Sequence, residues 1–255
     1  MIFKDQMGRE LELSSVPKKI ISLVPSQTEL LFDLGAGERV VGITKFCVHP
    51  KKWFENKKRV GGTKKVDLEI VRSLKPDLII ANKEENTFED VLKLQDIAPV
   101  WISDVNSLHD AKEMILSIGS IIARDKEANE LVRDIEFSFE AIKKLNGKAL
   151  YFIWKDPYLV AGRNTFIGSM LHEAGFENSC QNERYPEVHP ESIGSPEFIF
   201  LSTEPFPFNN EHLEQFKTWF PMSKVCLVDG EMFSWYGSRL KKSPAYFNEL
   251  IQKLT

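Results

Sequence analysis

The sequence predicts an α/β protein of two lobes with mainly parallel sheets joined by one long helix, and three observations predict it. One is an amphipathic stretch, Asp125 to Leu145, in which Ala128, Leu131, Val132, Ile135, Phe139, Ile142 and Leu145 recur at three- and four-residue steps among acids and lysines. The second is that apolar, strand-like runs alternate with helical patterns on both sides of that stretch, which implies parallel sheets. The third is a loose internal repeat: the order of strands and helices before the stretch recurs after it.

The central stretch has Asp125 in position to cap its start and Asn146-Gly147 in position to stop it. Its 21 residues would span about 30 Å, the diameter of a small domain. A stiff bridge of that length lets two lobes face each other across a cleft with only modest closure. The boundaries expected are an N-terminal α/β lobe over 1–123, a bridging helix over 124–146 and a C-terminal α/β lobe over 147–255.

Taken in order, residues 2 to 13 alternate around Met7-Gly8 and read as a hairpin. The run IISLV after Lys19 reads as a buried strand. Ser26 can cap a helix from Gln27 to Leu34 that stops at Gly35, and a strand follows at 40–43. Asp67 then caps a helix closed before Pro76, and LIIA after Asp77 is a strand. A helix over 88–96, a strand over 99–102 and an amphipathic segment from Ser107 to Ala123 complete the first lobe. Beyond Gly147 a strand runs from Ala149 to Trp154, and a helix is opened by Thr165 and closed by Gly175. Next, Pro190-Glu191-Ser192-Ile193 and Ser195-Pro196-Glu197-FIFL echo the Leu68 helix and the strand behind Pro76, with a shorter helix. A strand over 224–228 and a helix over 240–254 end the chain. Ligand sites in such folds lie beyond the carboxyl ends of the strands.

Composition excludes several classes. A net charge of −4, with lysines and acids interspersed, provides no field for gripping nucleic acid. No run of eighteen apolar residues exists to span a membrane. The first residues, MIFKDQMGRELEL, have no basic region followed by an apolar core and no small-residue cleavage site. The expectation is therefore a protein that stays inside the cell or one whose signal has been removed. Cys47, Cys180 and Cys226 form neither a CxxC pair nor an even-numbered framework, which points to a reducing compartment. No nucleophile elbow, phosphate loop, dinucleotide fingerprint or HExxH motif occurs, so no catalytic set is expected.

Aromatic residues stand instead in the loops after strands. Phe46 and His49 follow the second strand, Trp154, Pro157 and Tyr158 follow the first strand of the second half, and Tyr185 precedes the Pro190 helix. Phe233, Trp235 and Tyr236 follow the strand at 225–228. Rings burying on the order of 150 to 250 Å² each suit a large, flat, partly apolar ligand, while the competing reading is that they fill cores beneath loops. Cys47-Val48-His49 offers two soft ligands, half of a zinc site at most, and His49 could instead ligate a metal carried by an organic ligand. Lys83-Glu84-Glu85-Asn86 and Arg239 put charge near strand ends, either to hold polar groups of a ligand or as solvated loops. Glu69 and Glu191, one per lobe, each stand in the first turn of a helix. They either complement helix dipoles, worth about 0.3 to 1 kcal/mol, or dock on a two-fold-symmetric partner.

Asp5-Gln6-Met7-Gly8-Arg9, then Pro17-Lys18-Lys19 followed by IISLVPSQTELLFDLGAGERVVGIT, then DLEIVRSLKPDLIIA, resemble a known family. It comprises the substrate-binding proteins of ABC importers for cobalamin, haem and ferric siderophores, the helical-backbone metal receptors. The likeness runs over nearly the whole chain and is nearest to the cobalamin-binding branch. It implies two Rossmann-like lobes on one long helix, no catalysis and no intrinsic cofactor. A cobalamin-like ligand or a ferric complex would be sandwiched by aromatics at or near His49, Trp154, Tyr185 and the Glu231-Met232-Phe233 segment. It further implies a monomer whose Glu69 and Glu191 meet arginines of a membrane permease. Here His49 stands where that branch tends to have tyrosine, and Asn82-Lys83-Glu84-Glu85-Asn86 replaces an aromatic with charge. The alternative is a cytoplasmic metal or corrinoid chaperone, or an enzyme, on the same scaffold acting through Cys47 and His49.

Overall fold

The computed structural model describes all residues, 1–255, and its chain divides into two compact units. The first holds Met1–Val105, His109–Asp134 and Tyr236–Arg239; the second holds Asn106–Leu108, Ile135–Trp235 and Leu240–Thr255.

The first unit opens with the antiparallel hairpin β1 (Ile2–Lys4) and β2 (Glu10–Glu12). Its turn closes on Asp5, whose carboxylate accepts from the backbone N–H of Met7 and Arg9 and from the Arg9 guanidinium, with Gly8 at φ +80°. Then come β3 (Ile20–Ser22), α1 (Pro25–Asp33), β4 (Val40–Ile43), α2 (Lys51–Asn56), β5 (Lys58–Arg59), α3 (Leu68–Leu74), β6 (Leu78–Asn82), α4 (Phe88–Gln95), β7 (Val100–Ser103), α5 (Leu108–Ile121) and α6 (Asp125–Glu140), whose residues from Ile135 on belong to the second unit. The strands pair in parallel in the order β5-β4-β3-β6-β7. All three residues of β3 and all five of β6 are buried, because helices cover both faces of a parallel sheet.

The second unit contains β8 (Gly147–Trp154), β9 (Leu159–Val160), α7 (Phe166–Glu173), β10 (Phe176–Asn178), β11 (Phe198–Ser202), α8 (Asn210–Trp219), β12 (Lys224–Val228), α9 (Gly230–Ser234) and α10 (Ser243–Leu254). Its parallel path is β10-β8-β11-β12, with β9 antiparallel on β8. The order matches β4-β3-β6-β7 of the first unit strand for strand, so the repeat read from sequence is a repeat of topology. Phe152, Ile199, Leu201 and Phe216 lie at the centre of the core beside α8.

Several expectations change. The long helix ends at Glu140, not Leu145, and Gly147 begins β8 instead of stopping a helix. The cause is distant in sequence: Asn248 on α10 accepts from Lys143 N–H at 2.7 Å and donates to the Ala141 carbonyl at 3.1 Å, taking the backbone groups that another turn would need. Sixteen residues give a rod of about 24 Å. Asp125 is the first residue of that helix and not its cap, since Ala128 N–H bonds to the Arg124 carbonyl. Ser26 is likewise not a cap: Pro25 occupies the first helical position after an extended Val24. At the C-terminus the expected start at 240 falls in a 3-10 turn, Ser238–Lys241, and α10 begins at Ser243 because Pro244 fits only a first turn. The Asp67 and Thr165 caps stand as read, each accepting from the N–H three residues on. The Pro190 helix is a single 3-10 turn, Pro190–Ser192.

Close approach of α5 to α6 depends on Gly119, where an added Cβ would lie 2.3 Å from the Ala128 Cβ. Gly119→Ala should therefore cost about 1–3 kcal/mol by overpacking, read as a lower denaturant midpoint; an unchanged midpoint would mean that the two helices part without penalty.

Candidate functional site

Each sheet has one place where the strand order reverses, between β3 and β6 in the first unit and between β8 and β11 in the second. The carboxyl ends of the strands there are the expected ligand positions.

In the first unit that place is filled by a neutral polar network. Gln27 donates to the Ser103 hydroxyl, and Asn82 donates to the same hydroxyl at 3.0 Å. Asn82 accepts from the N–H of Glu84 and Glu85, while Asn86 accepts from Asn82 N–H and donates to the Thr63 carbonyl. This fixes the loop Asn82-Lys83-Glu84-Glu85-Asn86. Burial pushes the Glu85 carboxyl up, and neighbouring Lys64 opposes the shift. Beside this network the loop after β4 presents Phe46, 51% exposed, with the Lys45 ammonium 5.0 Å from its ring centroid, and His49 is half-buried. Cys47 points the other way. It is fully buried, its sulfur lies 3.1 Å from both Thr28 Oγ1 and Thr44 Oγ1, and burial pushes the thiol up, which disfavours thiolate. The chemistry expected of a Cys47–His49 chaperone or enzyme therefore has no exposed thiol to act through. No three His, Cys, Asp or Glu side chains are grouped to hold a metal ion.

In the second unit the strand ends are acidic. An open groove of about 500 Å³ lies beyond β11 and β12, lined by Thr203, Glu204, Leu227, Val228, Asp229 and Glu231. Asp229 caps α9 by accepting from Glu231 N–H, and Gly230 is required because a Cβ there would lie 2.4 Å from the Glu204 Cγ. Glu204 accepts from Ser234 at 2.7 Å and from the Trp235 indole at 2.9 Å through one oxygen.

The residues expected to face a ligand divide accordingly. Trp154, 39% exposed, ends β8 with its ring edge-on to Phe206, and Tyr185 is half-buried beside Arg184. Glu231 lines the groove. Phe233 is corrected to a core residue: it is fully buried against Tyr151, Phe200 and Phe247. Tyr158 packs edge-on into Phe152, Phe216 and Trp219 as a flank of the core. Trp235 and Tyr236 are each 7% exposed. Arg239 is no free clamp, since its guanidinium holds the Glu29 carboxylate at 2.8 and 2.9 Å in a buried bidentate pair within the first unit. Of the paired acids, Glu69 is exposed in the first turn of α3 and Glu191 is exposed on the 3-10 turn before β11. Glu204 and Lys45 were missed; a carboxylate directly after a buried strand was the available signal for the first, and a lysine beside a strand-end aromatic for the second.

Burial, with Glu231 and Asp229 nearby, pushes the Glu204 carboxyl up, against the hydrogen bonds from Ser234 and Trp235. The folded state thus binds this proton more tightly than the unfolded chain, so its contribution to stability declines as pH rises from the ordinary carboxylate range through the raised value. Glu204→Gln keeps an acceptor for Ser234 and Trp235 and should flatten that decline in melting temperature between about pH 4 and 7. Superimposable melting profiles of the two proteins would refute it.

Comparison with known proteins agrees with this architecture. The chain is 31% identical over 192 residues to a Bacillus subtilis protein described as an uncharacterized ABC transporter substrate-binding lipoprotein, covering 70% of this chain and 60% of that relative. It is 28% identical over 196 residues to a vitamin B12-binding protein of Vibrio parahaemolyticus, covering 72% of this chain and 70% of that protein. The fold superposes on the periplasmic catecholate-siderophore binding protein VctP of Vibrio cholerae with a TM-score of 0.80 at 14% identity, over 98% of this chain and 99% of that one. The periplasmic binding protein family matches residues 20–219, and the chain belongs to that family.

Proposed function

We propose that this chain is the substrate-binding protein of an ABC-type importer. It holds a metal-bearing organic ligand of the cobalamin, ferric siderophore or haem class and delivers it to a membrane permease from outside the cytoplasmic membrane. Family membership over residues 20–219 carries the reading. The description of the Bacillus subtilis relative as a transporter lipoprotein and the vitamin B12-binding name of the Vibrio relative support it. The ligand-facing residues in this reading are the exposed or half-buried groups at the strand ends: Phe46 and His49 in the first unit, Trp154, Tyr185 and Glu231 in the second. Binding and release are the whole activity, with no chemical step. No helix is long and apolar enough to cross a membrane.

Titration of the purified protein with cobalamin, haem and a ferric siderophore, followed by tryptophan quenching and by the ligand's visible spectrum, tests the reading. One of them should bind saturably, and Trp154→Ala with Tyr185→Ala should weaken it by more than about tenfold while the fold is kept, because two aromatic surfaces are lost. A visible-band shift abolished by His49→Ala would make that imidazole an axial ligand. Absence of binding by all three would end the receptor reading.

Glu69 and Glu191 occupy matching places in the repeat, each just before the strand on the far side of the switch point, β6 and β11. Because Glu191 sits on one 3-10 turn, helix-dipole complementation explains little there. Docking on a permease with two equivalent basic pockets explains both. Glu69→Lys with Glu191→Lys should abolish permease-stimulated uptake while leaving ligand affinity within about twofold, since exposed rim charges act on their own partner. Undiminished uptake would remove these acids from the docking surface.

A further inference from the structure

The chain is acidic overall, yet residues 45–65 hold eight of its 33 cationic side chains and only one of its 37 acids, Glu55. Two of the eight are paired, Lys51 with Glu55 at 3.8 Å and Lys57 with Glu38 at 3.5 Å. Lys64 is spent on the Glu84 carbonyl and on the buried Glu85 carboxyl. Lys45 and Lys65 are exposed, and neither meets a carboxylate. The Arg59 guanidinium sits over the Phe54 ring, 4.2 Å from its centroid, and its charge also reaches the Cys47 thiol.

A solvated basic face is the ordinary fate of such lysines, but the backbones of these two are tied into one pair of loops, and the Lys45 ammonium stands over the ligand-facing ring. Lys45 N–H donates to the Gly61 carbonyl and Gly62 N–H to the Lys65 carbonyl, both at 2.8 Å. Gly61, at φ +99°, draws the loop in so tightly that a Cβ would come within 2.6 Å of the Lys65 carbonyl. The Gly62 Cα faces Phe46, where a Cβ would lie 3.3 Å from its ring and 3.5 Å from the Lys45 side chain. The two loops therefore form one shelf at the carboxyl end of β4, with an exposed aromatic face beside the Lys45 ammonium and with the exposed Lys65 on the adjoining loop. Concentrated charge of one sign beside a ligand position attracts and orients the opposite charge.

We propose that this shelf receives anionic oxygens of the ligand, so that the metal complex carries peripheral carboxylate or catecholate groups. The inference rests on the receptor reading above and narrows its ligand class. Phe46 takes the apolar face of the complex, and Lys45 and Lys65 take its negative edge.

The test is a set of quenching titrations at low and at roughly half-molar NaCl, where exposed charge pairs are screened. The probes are haem and an anionic ferric tris-catecholate, with a cationic ferric trihydroxamate and cyanocobalamin, which has no net charge, as controls. One of the two anionic probes should bind best, which also identifies whether carboxylate or catecholate is the source. Its affinity should fall about tenfold at high salt. Lys45→Glu with Lys65→Glu should reproduce that loss at low salt, and Lys45→Arg with Lys65→Arg should retain affinity; circular dichroism verifies the fold of each variant. Preference for cyanocobalamin or the cationic hydroxamate, or salt-independent binding that the Glu variant leaves unchanged, would overturn the anionic assignment and leave the receptor reading standing. Failure of every probe would overturn both.

Discussion

A parallel sheet must be covered on both faces, because its strands are apolar on both sides. In each unit that constraint uses up the surfaces of the central strands: β3 and β6 are buried throughout, and Phe198 to Ser202 of β11 are buried in the same way. Only the strand ends remain for chemistry. This is why the exposed aromatics, the polar network and the acidic groove all gather at strand ends and the loops beyond them, and why the middles of the sheets contribute position rather than contact.

The two units meet the constraint with the same strand order but different strand-end chemistry. The first closes its switch point with neutral amides and hydroxyls bonded to one another, only the Gln27 carboxamide oxygen lacking a partner, and sets cations around the rim. Such a network keeps its geometry as pH changes, because none of its members titrates. The second places Glu204, Asp229 and Glu231 at the equivalent ends, with Glu204 pinned by an indole and a hydroxyl. A repeated scaffold has thus acquired one end built on a neutral amide and hydroxyl network and one built on clustered carboxylates.

What was legible in the sequence was what is decided locally. Buried strands such as LIIA after Asp77 declare themselves by composition, and the Asp67 and Thr165 caps by a side chain that serves an N–H three residues away. The end of the long helix was not legible, since Asn248 lies 105 residues from the Lys143 N–H that it binds. The helix opened by Asn209 was overlooked although its reciprocal cap with His212 is a sequence signal. The two- and three-residue strands β5, β9 and β10 are too short to carry a period. At the site, exposed Phe46 and Trp154 could be read from their place after strands, but the same reading misplaced Phe233, because whether a ring after a strand turns inward is settled by Tyr151, Phe200 and Phe247 from elsewhere in the chain. Arg239 was misread for the same reason, its partner Glu29 being 210 residues away.

That last pair has a consequence for the chain as a covalent object. Tyr236 to Arg239 belong to the first unit although the residues on either side belong to the second, and Gly237 lets the segment lie against the Ser26 carbonyl at a distance that a side chain would forbid. A polypeptide ending anywhere before Arg239 would leave the Glu29 carboxylate without its bidentate partner, and breaking such a buried pair costs about 3–5 kcal/mol. The first unit is consequently complete only after residues 236–239 have been synthesised, and an emerging nascent chain cannot finish this unit before most of the second has left the ribosome.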